Sequence, residues 1–121
     1  MAIRRVVPNI TSDDADLSRV FYEDFLGLER AMDMGWIATY VSPTNPTAQV
    51  SIVRRTDTEA PPITLSVEVD DVDRTYSDAV ARGFEIVYPL TDEPWGVRRF
   101  FVRDPNGVIV NVLTHLPRAG E

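Results

Sequence analysis

The chain has no cysteine, no lysine and a single histidine, His115, among its 121 residues. Without cysteine there are no disulfides, thiolate metal sites, iron–sulfur clusters or thiol nucleophiles. Without lysine there is no Schiff base and no phosphate-loop ammonium. One imidazole excludes any site that draws two from the same chain, and the Ser and Thr residues show no arrangement that would build a triad on it. No apolar run approaches the ~20 residues of a membrane span. The opening Met1-Ala2-Ile3-Arg4-Arg5 has neither the apolar core nor the cleavage site of a secretory leader, so a cytoplasmic protein is expected. Arginine supplies all 12 basic residues against 19 acidic ones, a formal charge of -7. That balance offers no basic stripe to phosphates, and neither a nucleic-acid nor a membrane partner is expected. What remains is a chain of single-domain length, 44% hydrophobic, able to bury a core without staples.

The hydrophobic pattern is written twice. Ile3–Ile10 reads as a strand. Ser12 or Asp13 is the expected cap of a helix whose apolar stripe is Leu17, Phe21 and Phe25, with Val20 and Leu28 beside it. Gly27 is its expected stop, and strand-like runs follow near 28–32, 36–41 and 48–53. After the polar, proline-ended segment 54–62 the order begins again. Ile63, Leu65, Val67 and Val69 alternate with Thr64, Ser66 and Glu68. Asp70 or Asp71 caps a second helix with Val72, Tyr76 and Val80 as its stripe, and Gly83 stops it. Strands follow near 84–90, 98–103 and 108–113, the last two joined by the turn Asp104-Pro105-Asn106-Gly107.

The fold class is therefore α+β. A single domain over 1–121 holds two βαβββ modules, about 3–53 and about 63–114, with a linker over 54–62. They are expected to form a curved mixed sheet with helices outside and an open cleft. Strand parity assigns Val50 and Ile52 to the helix side, leaving Gln49, Ser51 and Val53 on the other. It likewise assigns Val108, Val110 and Val112, leaving Ile109, Asn111 and Leu113. A cleft face that mixes apolar and neutral polar groups suits a small-molecule ligand. Its expected ligand-binding residues are Trp36, Tyr40, Gln49, Ser51, Glu68, Trp95, Arg98 and Asn111. Trp36 and Trp95 offer planes for an aromatic or cationic ligand. Of Arg98 and Arg99, which point to opposite faces, one enters the cleft.

Phe21-Tyr22-Glu23-Asp24-Phe25-Leu26-Gly27-Leu28, the helix start Val67–Asp73 and the hairpin Asp104–Gly107 together resemble the vicinal oxygen chelate superfamily. That group includes glyoxalase I, extradiol dioxygenases, and fosfomycin- and bleomycin-resistance proteins. Val7-Pro8-Asn9-Ile10 and Pro94-Trp95-Gly96-Val97-Arg98 resemble segments of the bleomycin-binding proteins. The resemblance implies a homodimer, with Pro8 marking exchange of the first strand, and a ligand-binding role in antibiotic resistance. Metal-using members place His or Gln, Glu, His and Glu on the first, fourth, fifth and eighth strands. The matching positions here hold Val7, Gln49 or Ser51, Thr64 and Asn111, none of them a carboxylate or imidazole. Glu68 and His115 share the parity of two of those positions but are expected to lie too far apart to act together, with His115 at a fraying end.

These readings favour a metal-independent, cofactor-free binding protein that sequesters an aromatic or cationic antibiotic. The alternative is a lyase, isomerase or dioxygenase of the same superfamily, with Glu68 as general base and Tyr40 as acid.

Overall fold

A computed structural model describes residues 2–55 and 62–117. The chain divides into two compact units. One, the first module, runs from Val7 to Pro62. The other, the second module, runs from Ile63 onward and also takes the opening residues as far as Val6. The first strand, β1 (Ile3–Ser12), thus contributes to both.

In the first module, α1 (Ala15–Arg19) runs into a π-helical stretch, Val20–Phe25, and three strands follow: β2 (Glu29–Asp33), β3 (Ile37–Val41) and β4 (Gln49–Arg54). The strand order is β2-β3-β4-β1. β4 runs antiparallel to β3 and parallel to β1, with Asn9 beside Ser51 and Thr39 opposite it. The cap of α1 is Asp14, not Ser12 or Asp13: its Oδ1 accepts from the Asp16 and Leu17 N–H groups, at 3.1 Å each. Ser12 instead accepts from the Asp14 N–H, which sets up that turn.

The expected α-helical stripe does not form in this module. After Arg19 the chain widens so that the Leu26 N–H reaches back five residues to the Phe21 carbonyl. A wider turn no longer stacks residues at i, i+4 and i+8 over one line. Leu17, Phe21 and Phe25 are 68%, 50% and 72% exposed. Tyr22 is the residue that turns inward, stacking on Tyr40 with ring centroids 6.1 Å apart.

The second module holds β5 (Leu65–Val69), α2 (Val72–Ala81), β6 (Ile86–Glu93), β7 (Val97–Arg103) and β8 (Ile109–His115). The order is β5-β8-β7-β6, with the opening residues of β1 beside β5. β5 and β8 are parallel; the other two pairs are antiparallel. Asp71 caps α2 by accepting from the Arg74 N–H at 3.0 Å. Gly83 ends this helix and Gly27 ends its counterpart, each with the positive φ that glycine adopts at no steric cost. Val69, Val72, Ala79, Phe100 and Val112 form the core, and Tyr76 meets Phe100 edge-on at 5.0 Å. The expected Val80 is half exposed; Ala79 takes its place, seven residues after Val72 and so two turns along the same face. In the β7–β8 turn, Asp104 Oδ1 accepts from the Asn106 and Val108 N–H groups.

Each unit is a βαβββ module with a mixed sheet and its helix on one side, as the sequence predicts. The 56–61 part of the expected linker lies outside the described residues.

Candidate functional site

Pairing registers decide which side chains share a face. In the first module Tyr40 stands opposite Val50, on the helix side. It is 2% exposed, and burial raises its pKa, so it is a poor proton donor. Tyr40 is therefore core rather than a ligand or acid residue, and Val50 and Ile52 share its side, as parity predicts. On the other side, the Ser51 and Thr39 hydroxyls are both buried and bond each other at 2.8 Å. Gln49 donates to the Pro46 carbonyl at 2.7 Å and is used up in closing its own loop. Trp36 precedes β3, and its carbonyl accepts from the Arg54 N–H.

A depression of about 440 Å³ lies in this module, lined by Ser12, Asp13, Asp14, Ala15, Asp16, Arg54 and Arg55. None of these is an expected site residue. Asp14 is engaged in capping, and Asp13 is paired with Arg55 at 2.6 Å. Helix-start geometry accounts for the depression without a ligand.

The second module is different. Arg98 lies on the helix side, bonded to Asp73 on α2 and to Asp92, and both bonds push its pKa upward. Arg98 is thus a strap between sheet and helix, and Arg99 is the arginine on the opposite face. Arg99 pairs with Glu93 at 2.8 Å, and Tyr88 donates to the other Glu93 oxygen at 2.9 Å. The Arg99 guanidinium carbon lies 5.7, 5.1 and 4.7 Å from the ring centroids of Tyr88, Trp95 and Phe101. The expected platform Trp95 is therefore already occupied by a cation of the protein's own.

Asn111 shares this helix-distal face, opposite Phe101. Its amide nitrogen donates to Ser66 Oγ at 3.1 Å, while its Oδ1 is buried with no hydrogen-bond partner among the described residues. Arg99 Nε is buried and, among the described residues, unpartnered as well. Buried polar atoms without partners are rare, because each forfeits its hydration.

Glu68 and His115 come together on the same face. β5 and β8 are in parallel register with Glu68 beside Leu113, so His115 stands one pleat further along. Glu68 Oε2 lies 2.6 Å from His115 Nδ1, and Glu68 Oε1 accepts from Arg5 Nε at 2.7 Å. The expectation of two distant, unrelated groups is overturned. His115 closes a paired strand, opposite Val97, and the next residue ties down through its N–H to the Gly96 carbonyl. Burial alone would raise the Glu68 pKa. The hydrogen bond from His115 and the positive charge of Arg5 outweigh it, so the group stays below its ordinary value. That makes Glu68 a weak base and a firm anion.

The donors expected at metal positions do not fit a divalent ion. Val7 has none, and Thr64 and Asn111 are neutral. Ser51 is neutral and already bonded to Thr39. Among the described residues no three His, Asp or Glu side chains cluster as ligands. No helix among them is long and apolar enough to cross a membrane.

The family profile of the Glyoxalase/Bleomycin resistance protein/Dioxygenase superfamily matches residues 3–112. No curated protein sequence matches the chain. Among solved structures, a superfamily member from Vibrio splendidus is 17% identical, with a TM-score of 0.70 over 93% of this chain and 99% of that one. A methylmalonyl-CoA epimerase from Streptomyces coelicolor is also 17% identical, with a TM-score of 0.73 over 96% and 100%. A hypothetical protein from Bacillus halodurans is 12% identical, with a TM-score of 0.77 over the whole of both chains. At these identities the likeness is one of fold.

Proposed function

Because this chain belongs to the glyoxalase/bleomycin resistance protein/dioxygenase superfamily, we propose that it binds a small aromatic molecule bearing an oxygen acceptor and converts it as a lyase or isomerase without a metal. The carrying observation is the helix-distal face of the second module. There Arg99 Nε and Asn111 Oδ1 lack partners among the described residues, beneath an aromatic wall, and its rim of Trp95 and His115 is open to solvent. A ligand oxygen entering as Trp95 shifts would satisfy the Arg99 donor. The fold accommodates isomerase chemistry, since the Streptomyces coelicolor neighbour is an epimerase.

Sequestration of an aromatic antibiotic is the second reading, favoured by the Tyr88, Trp95 and Phe101 rings. A cationic ligand fits this wall poorly, because Arg99 already lies over it.

Tryptophan fluorescence in a Trp36→Phe background tests the reading. Benzoate is expected to quench Trp95, and benzyltrimethylammonium is not. The reverse order would support capture of cations. Silence from both, and from a neutral aromatic panel, would remove the binding face. Product analysis then separates the two readings, since a sequestering protein returns its ligand unchanged.

A further inference from the structure

We propose that His115 is a catalytic acid–base residue and Glu68 its positioning residue, with the imidazole Nε2 taking a carbon-bound proton from a molecule held at the rim of the second module. This deepens the lyase or isomerase reading and rests on it for the place of the ligand.

Four observations carry it. An ionised carboxylate has no proton to give, so the 2.6 Å contact requires the hydrogen on His115 Nδ1. In the neutral imidazole Nε2 then presents its lone pair, the tautomer a base needs. The carboxylate cannot swing away, because Arg5 holds its other oxygen. Exposure is divided as the two roles require, the imidazole side chain being 52% exposed and the carboxylate 13%. The pair also adjoins the aromatic rim: His115 stands opposite Val97, and Leu116 bonds to the carbonyl of Gly96, the residue after Trp95.

The step balances with no co-reactant. A C–H bond breaks as Nε2–H forms, and the bonding pair moves into the substrate's own acceptor group. Glu68 faces the imidazolium so produced, in the orienting role a carboxylate plays in a triad. Return of the proton from Nε2, on the same face, to another carbon of the delocalised system gives an isomer. Loss of a leaving group from the neighbouring atom gives a lyase product.

Nitrobenzisoxazole is a suitable probe: a base removes its ring C–H proton, the pair closes a nitrile, and the N–O bond breaks to release a coloured phenolate. The full chain is expected to outpace an equal concentration of free imidazole, with His115→Ala losing about a hundredfold. Added imidazole should restore part of that loss, which a structural role would not allow. Glu68→Gln should retain about a tenth of the rate. Diethyl pyrocarbonate gives a test without mutation, since His115 is the chain's sole histidine: turnover should fall in step with its acylation and return with hydroxylamine. Wild-type turnover in folded His115→Ala, or in the acylated protein, would overturn the proposal. Quenching of Trp95 by benzoate in the wild-type chain reads the binding face, and turnover in His115→Ala reads the base, so failure of one is distinguishable from failure of the other.

Discussion

The two modules repeat one order of elements but are consolidated differently. The second buries Val72 and Ala79 of its helix against Phe100, and its arginines are tied to carboxylates on both faces. The first buries no residue of its helix, and its apolar stripe faces out. The lesson concerns period rather than composition. Taken as a set, Leu17, Phe21 and Phe25 are larger and more apolar than Val72, Tyr76 and Ala79, yet they stay exposed where the turn widens. Apolar bulk contributes to stability only when the backbone delivers it to a partner.

Phe100→Ala should reveal the contrast most strongly. It empties the centre of the second module and should cost about 3–5 kcal/mol in denaturant unfolding. Phe25→Ala should cost no more than about 0.5 kcal/mol, as for an exposed position. Equal losses would show that the stripe of the first helix is covered in solution. Next in size are the ion pairs. Glu93→Gln leaves Arg99 in a site only 17% exposed without its countercharge, an expected loss of about 3 kcal/mol. Asp13→Asn breaks a pair whose side chains are 60% and 75% exposed, and should cost under about 1 kcal/mol.

The caps come third. Asp71→Ala should lower global stability by about 1 kcal/mol. Asp14→Ala should instead show in hydrogen exchange as local opening of α1, with little change in the global midpoint. A matching global loss would mean that the first helix is as consolidated as the second. Acid should produce the smallest effect, and in the second module. The folded pKa of Glu68 lies below its unfolded value, so its contribution is complete above about pH 4.3 and is lost as the pH falls through the folded value. Asp104, held down first by the Val108 N–H, acts in the same direction. Glu68→Gln should flatten the acid limb of the stability curve; an unchanged limb would mean that the Arg5 and His115 contacts add nothing.

Strands, the start of the second helix, glycine stops and the hairpin at 104–107 were legible because each is set by local chemistry. Parity placed Val67 and Val69 with Val110 and Val112, and all four pack as expected. The first helix was misread because an i, i+4 pattern cannot show that the backbone has added a residue to its turn. Tyr40 was misread because parity sorts residues onto two faces without saying which face the helix covers. The Glu68–His115 contact spans 47 residues and depends on the β5–β8 register, which no local pattern encodes. The usable signal was their shared parity on strands that pair in parallel. Arg98 and Arg99 separated only once Asp73 on α2 claimed one of them.

β1 passes from one unit to the other between Val6 and Val7, next to Pro8, the residue with no N–H to give. The residues before Val7 complete the second module: the Ala2 N–H donates to Asp70, and Arg5 of β1 holds Glu68. Its later residues pair with β4. Gene dissection at the apparent boundary near residue 62 would therefore give two defective fragments. The downstream piece would lack the arginine that steadies Glu68, and the upstream piece would carry that arginine without its carboxylate. A workable split protein needs the first six codons moved in front of Ile63, a rearrangement that the linear order of the repeat conceals.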